Sequence, residues 1–208
     1  MTLLISYLPT IYQAFSRREI VVSRLELRAG TPPSACALLQ WLNRSGSLHD
    51  DASQWELWEE WFVEIEESHT SLPILSFFRS PQPGRSWVTA AELILDTAAL
   101  IFSAVDDKRD PQVEITFKAG CLAVNRVYRF FEEDLKAEPS KILPDNDPIE
   151  DPGRADFDKA YQDLQKAGLA MHPARDEAWK QYRELRGRYA TALDFLGKLT
   201  MAPEVKTV

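Results

Sequence analysis

From Leu3 to Phe15 the chain reads LLISYLPTIYQAF, thirteen residues without a charged side chain, and Arg17 and Arg18 then follow together. This run shows almost no polar face, unlike the stripe of a helix packed on one side. Pro9 predicts a kink or break, because proline removes a backbone donor and crowds the preceding turn. Ser16 and Glu19 have the S-x-x-E spacing of a capping box, which predicts a fresh helix over 17–28 ended by Gly30. Val21, Val22, Leu25 and Leu27 are the positions expected to hold that helix against a bundle. Pro33 suits the first position of a helix over 33–44, with Gly46 as its stop.

Helical spacing continues downstream. Trp55, Trp58, Phe62 and Ile65 form one apolar stripe on a helix over 53–68, with Trp61 beside it. The stripe reads as core packing, and a partner or ligand surface is the alternative. Pro73 opens a short apolar piece, SPQPG (80–84) is a loop, and Ser86 is a plausible N-cap for a helix over 87–105. VEITF (113–117) alternates like a strand but leads straight into KAGCLAVNRVYRFF, so 112–136 is read as one helix. Residues 137–153 hold four prolines and a run of acids, the pattern of a linker or a meandering loop. A helix from 154 stops at Gly168, and a last helix over 173–200 carries Trp179, Tyr182, Leu185, Tyr189, Ala192 and Phe195 at helical spacing. The expected fold is all-α. A membrane-proximal helix and connector (1–30) precede a helical bundle (31–136), a linker (137–153) and a C-terminal helical hairpin (154–208).

Composition adds limits. The 208 residues are 45% hydrophobic and 27% charged, enough to bury a core without disulfides. The net charge of −8 disfavours nucleic acid as a partner, because an acidic surface repels phosphates. The charge is uneven. Residues 1–30 carry an excess of +2, whereas residues 50–67 hold eight acids and no Lys or Arg. That acidic belt would attract a basic partner if the protein were an adaptor. Cys36 and Cys121 sit in apolar helical contexts without C-x-x-C spacing, and read as buried free thiols.

Candidate chemistry is sparse. Asp96 is surrounded by Leu93, Ile94, Leu95, Ala98, Ala99, Leu100 and Ile101, so its carboxylate needs a buried partner. Arg79 is the first candidate for that partner and His69 the second. Together with Glu66, these residues form a candidate polar cluster, read either as a sensor or ligand site or as an ion pair that fixes helix register. Glu66 and His69 stand at i, i+3, a spacing able to hold a metal, but no second Glu-x-x-His occurs, so neither a metal nor a cofactor is called for. His49 and His172 flank turns and read as surface residues. No P-loop, G-x-G-x-x-G or H-E-x-x-H motif is present, which favours a non-enzymatic role.

The opening run is too short to cross a hydrocarbon core alone, which takes about 20 apolar residues. It suits either a core helix or the inner end of a membrane helix. In the membrane case Tyr7 and Tyr12 lie toward the interface, and Arg17 and Arg18 mark the cytoplasmic boundary. The stretch YLPTIYQAFSRREIVVSRLELRAGTPPSA resembles the segment after the last membrane helix of bacterial two-pore-domain potassium-channel-like, or ion-channel-like, membrane proteins. The similarity continues through WEEWFVEIEESHTSLPILSFFRS and SWVTAAELILDTAAL, and is looser in the C-terminal third. It implies a non-catalytic cytosolic regulatory or assembly domain on the inner face of the plasma membrane, tethered through its N-terminus and homo-oligomeric with its pore. These residues contain no T-V-G-Y-G filter loop and cannot conduct ions themselves. The alternative is a soluble all-α enzyme or a small-ligand or metal-binding protein, with a pocket around Glu66, His69, Arg79 and Asp96.

Overall fold

The computed structural model describes residues 2–30, 32–48, 52–107, 110–137 and 153–203, with side chains from Leu8 onward and, in the fifth helix, as far as Glu133. Among the described residues the fold is all-α. The helices are α1 (Thr2–Glu26), α2 (Ala35–Ser45), α3 (Ser53–Ser71), α4 (Trp87–Ala104), α5 (Pro111–Ala137), α6 (Arg154–Lys166), α7 (Arg175–Arg186) and α8 (Ala190–Thr200), with a 3-10 turn at Pro73–Phe77. A single antiparallel bridge joins Val105 to Met171.

α4 is the axis of the bundle. Its residues are apolar nearly all round, which suits a helix covered on every side. It is packed by α1, α2, α5, α7 and α8. It is also the one described helix long and apolar enough to cross a membrane, and 89% of it is buried inside the protein. α3 lies along α5 in the most extensive packing of the fold. The crossing is close at Gly120, where a Cβ would stand 2.8 Å from both Leu95 Cδ2 and the Phe62 ring. α6 rests on α2, and α8 reaches both α4 and α5. All these helices feed one continuous apolar core that runs from Val21 to Leu196.

Several local expectations are corrected. α1 is one helix that passes through Pro9, and Ser16 lies inside it, so the capping box does not form. Continuing the helix places Val21, Val22 and Leu25 on one buried face. Leu27 lies beyond the last turn and is exposed. α2 starts two residues later than Pro33, because Ser34 takes the N-cap and its Oγ accepts from the Ala37 N–H at 3.1 Å. Trp61 is as buried as the stripe beside it, so α3 presents a broader apolar face than expected. The last helix is two. The chain turns at Gly187–Tyr189, which lets α7 pack on α4 while α8 continues toward α5. The strand-like VEITF lies within α5, as the helical reading has it. His49 and the linker over 138–152 lie outside the described residues.

Candidate functional site

α1 divides by environment. Leu8 and Tyr12 are 70% and 68% exposed, so the described part of its N-terminal half projects from the bundle. Its C-terminal half is clamped to α3 and the 3-10 turn, and the clamp is Arg18, only 3% exposed. The guanidinium donates to the Leu75 carbonyl at 2.8 Å, the Phe78 carbonyl at 2.5 Å and Glu19 Oε1 at 2.9 Å. It also lies over the Phe15 ring, 5.2 Å from its centroid. The Trp61 indole N–H donates back to the Arg18 carbonyl at 3.2 Å. Arg18 is therefore spent inside the protein and is not a cation at a lipid boundary. Arg17, the other half of the pair, is exposed and bridges to Glu64 of α3 at 3.3 Å.

His69 completes this node. It is 1% exposed and packs on Trp87, with ring centroids 4.8 Å apart. Its Nε2 stands 3.2 Å from Arg18 Nη1, and its Nδ1 is 3.0 Å from both the Ile65 carbonyl and Ser68 Oγ. A guanidinium can only donate. The network therefore assigns the proton to Nδ1 and leaves Nε2 to accept from Arg18. Burial first, and the Arg18 charge second, push the His69 pKa down to about 3, so the ring is neutral.

The second node surrounds Asp96, which is fully buried. Its partner is neither Arg79 nor His69 but Arg186, at the end of α7. Arg186 Nη1 donates to both carboxylate oxygens, at 2.6 and 2.7 Å. The Tyr189 hydroxyl adds a third bond at 2.5 Å, and Arg186 Nη2 reaches Glu92 Oε1 at 3.1 Å. Glu92 sits one helical turn before Asp96 on α4. Burial, then repulsion from Asp96, raise its pKa to about 7 despite Arg186. Burial is the largest single effect on Arg186 and opposes its charge, but Asp96, Tyr182, Tyr189 and Glu92 together overcome it and hold the guanidinium above its ordinary range. Burial and the same carboxylate push the Tyr189 and Tyr182 hydroxyls well up. Such a node fixes how α7 and α8 sit on α4.

The four residues of the expected polar cluster thus lie in separate places. Glu66 pairs with Arg126 of α5, His69 with Arg18, and Asp96 with Arg186. Arg79 is exposed on the loop after the 3-10 turn, beside a cleft. Among the described residues no group of three or more His, Cys, Asp and Glu side chains stands close enough to hold a metal. His172 is half-buried and serves its own turn, its Nδ1 accepting from the Ala174 N–H at 3.2 Å. Cys36 and Cys121 are free and half-buried, and burial lifts their thiols to about 11 and about 12. No family model, curated protein or solved structure matches this chain.

Proposed function

We propose that this chain is a non-catalytic helical module held at a membrane by the N-terminal half of α1. One observation carries the reading. The helix leaves the bundle with Leu8 and Tyr12 bare, in a stretch from residue 2 to residue 16 that has no charged side chain. The polar residues of this stretch (Thr2, Ser6, Thr10, Gln13 and Ser16) are uncharged and confined to one stripe, so most of the helix circumference is apolar and is suited by apolar surroundings on more than one side. A bilayer supplies these, whereas a partner helix covers one side only. The fifteen residues 2–16 amount to about 22 Å of helix, enough to enter the hydrocarbon but not to traverse it. Tyr12 stands about one and a half turns before Arg17, near the depth where tyrosines favour the interface. The boundary falls on Arg17, since Arg18 belongs to the core.

In this reading the module is cytosolic and regulates or assembles an ion-channel-like partner, in line with the resemblance of residues 7–105 to the region after such a pore. The Arg18 clamp makes the projecting half of α1 and the 3-10 turn move as one, so a change in bundle packing would reach the membrane through α1. A symmetric pore would repeat the module around its axis, giving a homo-oligomer.

Flotation of the full chain with phosphatidylcholine vesicles tests the anchor. The chain is expected to float, and the Leu8→Asp/Tyr12→Asp double variant to stay at the bottom with an unchanged melting temperature. Failure of the unaltered chain to float, or equal flotation of both, overturns the proposal.

A further inference from the structure

A cleft of about 250 Å³ opens between the 3-10 turn, the loop after it, the start of α4 and the end of α8. Its wall carries two cations, Arg79 and Arg85, and no carboxylate, in a protein of net charge −8. Arg79 makes no hydrogen bond or ion pair with a described residue. Arg85 is fixed from α1, donating to Ser23 Oγ at 3.1 Å and pairing with Glu26, while its Nε is buried without an acceptor. Ser76 is 1% exposed, and its Oγ lies buried without a partner. The Ser80 Oγ is in the same state. Buried polar groups without partners cost stability, and three of them lie in the wall of one cleft, where a small rotation of the Ser76 and Ser80 side chains would turn their hydroxyls toward a bound group. The first turn of α4 (Ser86, Trp87) forms part of the same wall and brings the positive end of an 18-residue helix.

We propose that this cleft binds the phosphoryl group of a small phosphate ester. The choice of anion follows from the donors. A carboxylate is planar and is filled by one guanidinium fork. Two guanidinium groups, two hydroxyls and a helix end arranged around one volume suit a tetrahedral dianion with more oxygens to satisfy. Phe78 and Met201 give the cleft an apolar side for the body of the ester. The proposal is independent of the membrane anchor. It places a ligand against Arg85, which touches α1, and against the turn that Arg18 clamps.

Calorimetry on the full chain tests it, with phenyl phosphate as the soluble probe and benzoate as the planar control. Phenyl phosphate is expected to bind one per chain, at least tenfold more tightly than benzoate. Arg79→Gln should weaken it at least tenfold without changing the melting temperature of the free protein, because Arg79 is exposed and unpaired. Ser76→Ala should weaken it several-fold without lowering that temperature, because it deletes an unsatisfied hydroxyl. Phosphatidate vesicles distinguish the source of the phosphoryl group. Recruitment that needs Arg79, with no binding of phenyl phosphate, assigns the cleft to a lipid headgroup and supports the proposal. No binding of either probe, equal binding of benzoate, or binding that survives Arg79→Gln overturns it. The Leu8→Asp/Tyr12→Asp variant should bind phenyl phosphate normally, so failure of the anchor and failure of the cleft are separate results.

Discussion

Acid should loosen this protein first at His69. The ring is neutral between Arg18 and the Ile65 carbonyl, and a proton on Nε2 would both lose the Arg18 bond and set two cations against each other. Its pKa falls from 6.5 to about 3 on folding. Between those values the unfolded chain binds the proton and the folded chain does not, so stability is full above about pH 6.5 and falls as the pH drops toward 3. At about pH 4.5 the linkage amounts to some 2 to 3 kcal/mol. The assay is urea unfolding at about pH 7 and pH 4.5, for the unaltered chain and for His69→Gln, whose amide oxygen still offers Arg18 an acceptor. The variant should be weaker at pH 7, having lost the ring against Trp87, but it should lose about 2 to 3 kcal/mol less on acidification. Glu92 titrates in the opposite sense, its raised pKa of about 7 lowering stability as the pH rises, and it is common to both proteins. Its effect cancels in the comparison. Parallel pH profiles would refute the buried neutral histidine.

Asp96→Asn leaves Arg186 buried beside a neutral amide, and should cost about 3 to 5 kcal/mol in denaturant unfolding at pH 7. Gly120→Ala should destabilise by about 1 to 3 kcal/mol, because the new methyl meets Leu95 and Phe62 and neither buried side chain has room to retreat. A stabilising result there would show that the α3–α5 crossing is looser than described. Glu92→Gln should remove the part of the pH dependence that weakens the protein between about pH 4.5 and pH 7, so its unfolding midpoint should exceed that of the parent chain only at the alkaline end.

The helical architecture could be read from spacing alone, because nearly every apolar stripe repeats at three and four residues. Capping signals placed Gly46, Ser86 and Gly168 well. Single-residue signals failed where packing outweighed them. Pro9 and Ser16 suggested two helices, but α1 runs unbroken from Thr2 to Glu26, with Arg18, Val21, Val22 and Leu25 on its buried face. That same register held a missed signal. Arg18 falls on the apolar face and Arg17 does not, so the two arginines have different environments. Arg186 was legible in the same way, one turn after Tyr182 and three residues before Tyr189, on the face that meets α4. Asp96 takes its partner from 90 residues away, a pairing that local spacing around Asp96 does not reveal. The cleft had no sequence signature, since it joins the 3-10 turn to residues beyond Thr200.

Hydrogen exchange along α1 of the full chain, without lipid and with phosphatidylcholine vesicles, tests the anchor most directly. Without vesicles, amides 10–15 should exchange many-fold faster than amides 19–26, which the Arg18 clamp and the core protect. With vesicles the first group should slow toward the second while the rest of the protein stays unchanged. Equal protection of the two groups in the lipid-free chain, or no response of amides 10–15 to vesicles, would contradict the proposed function.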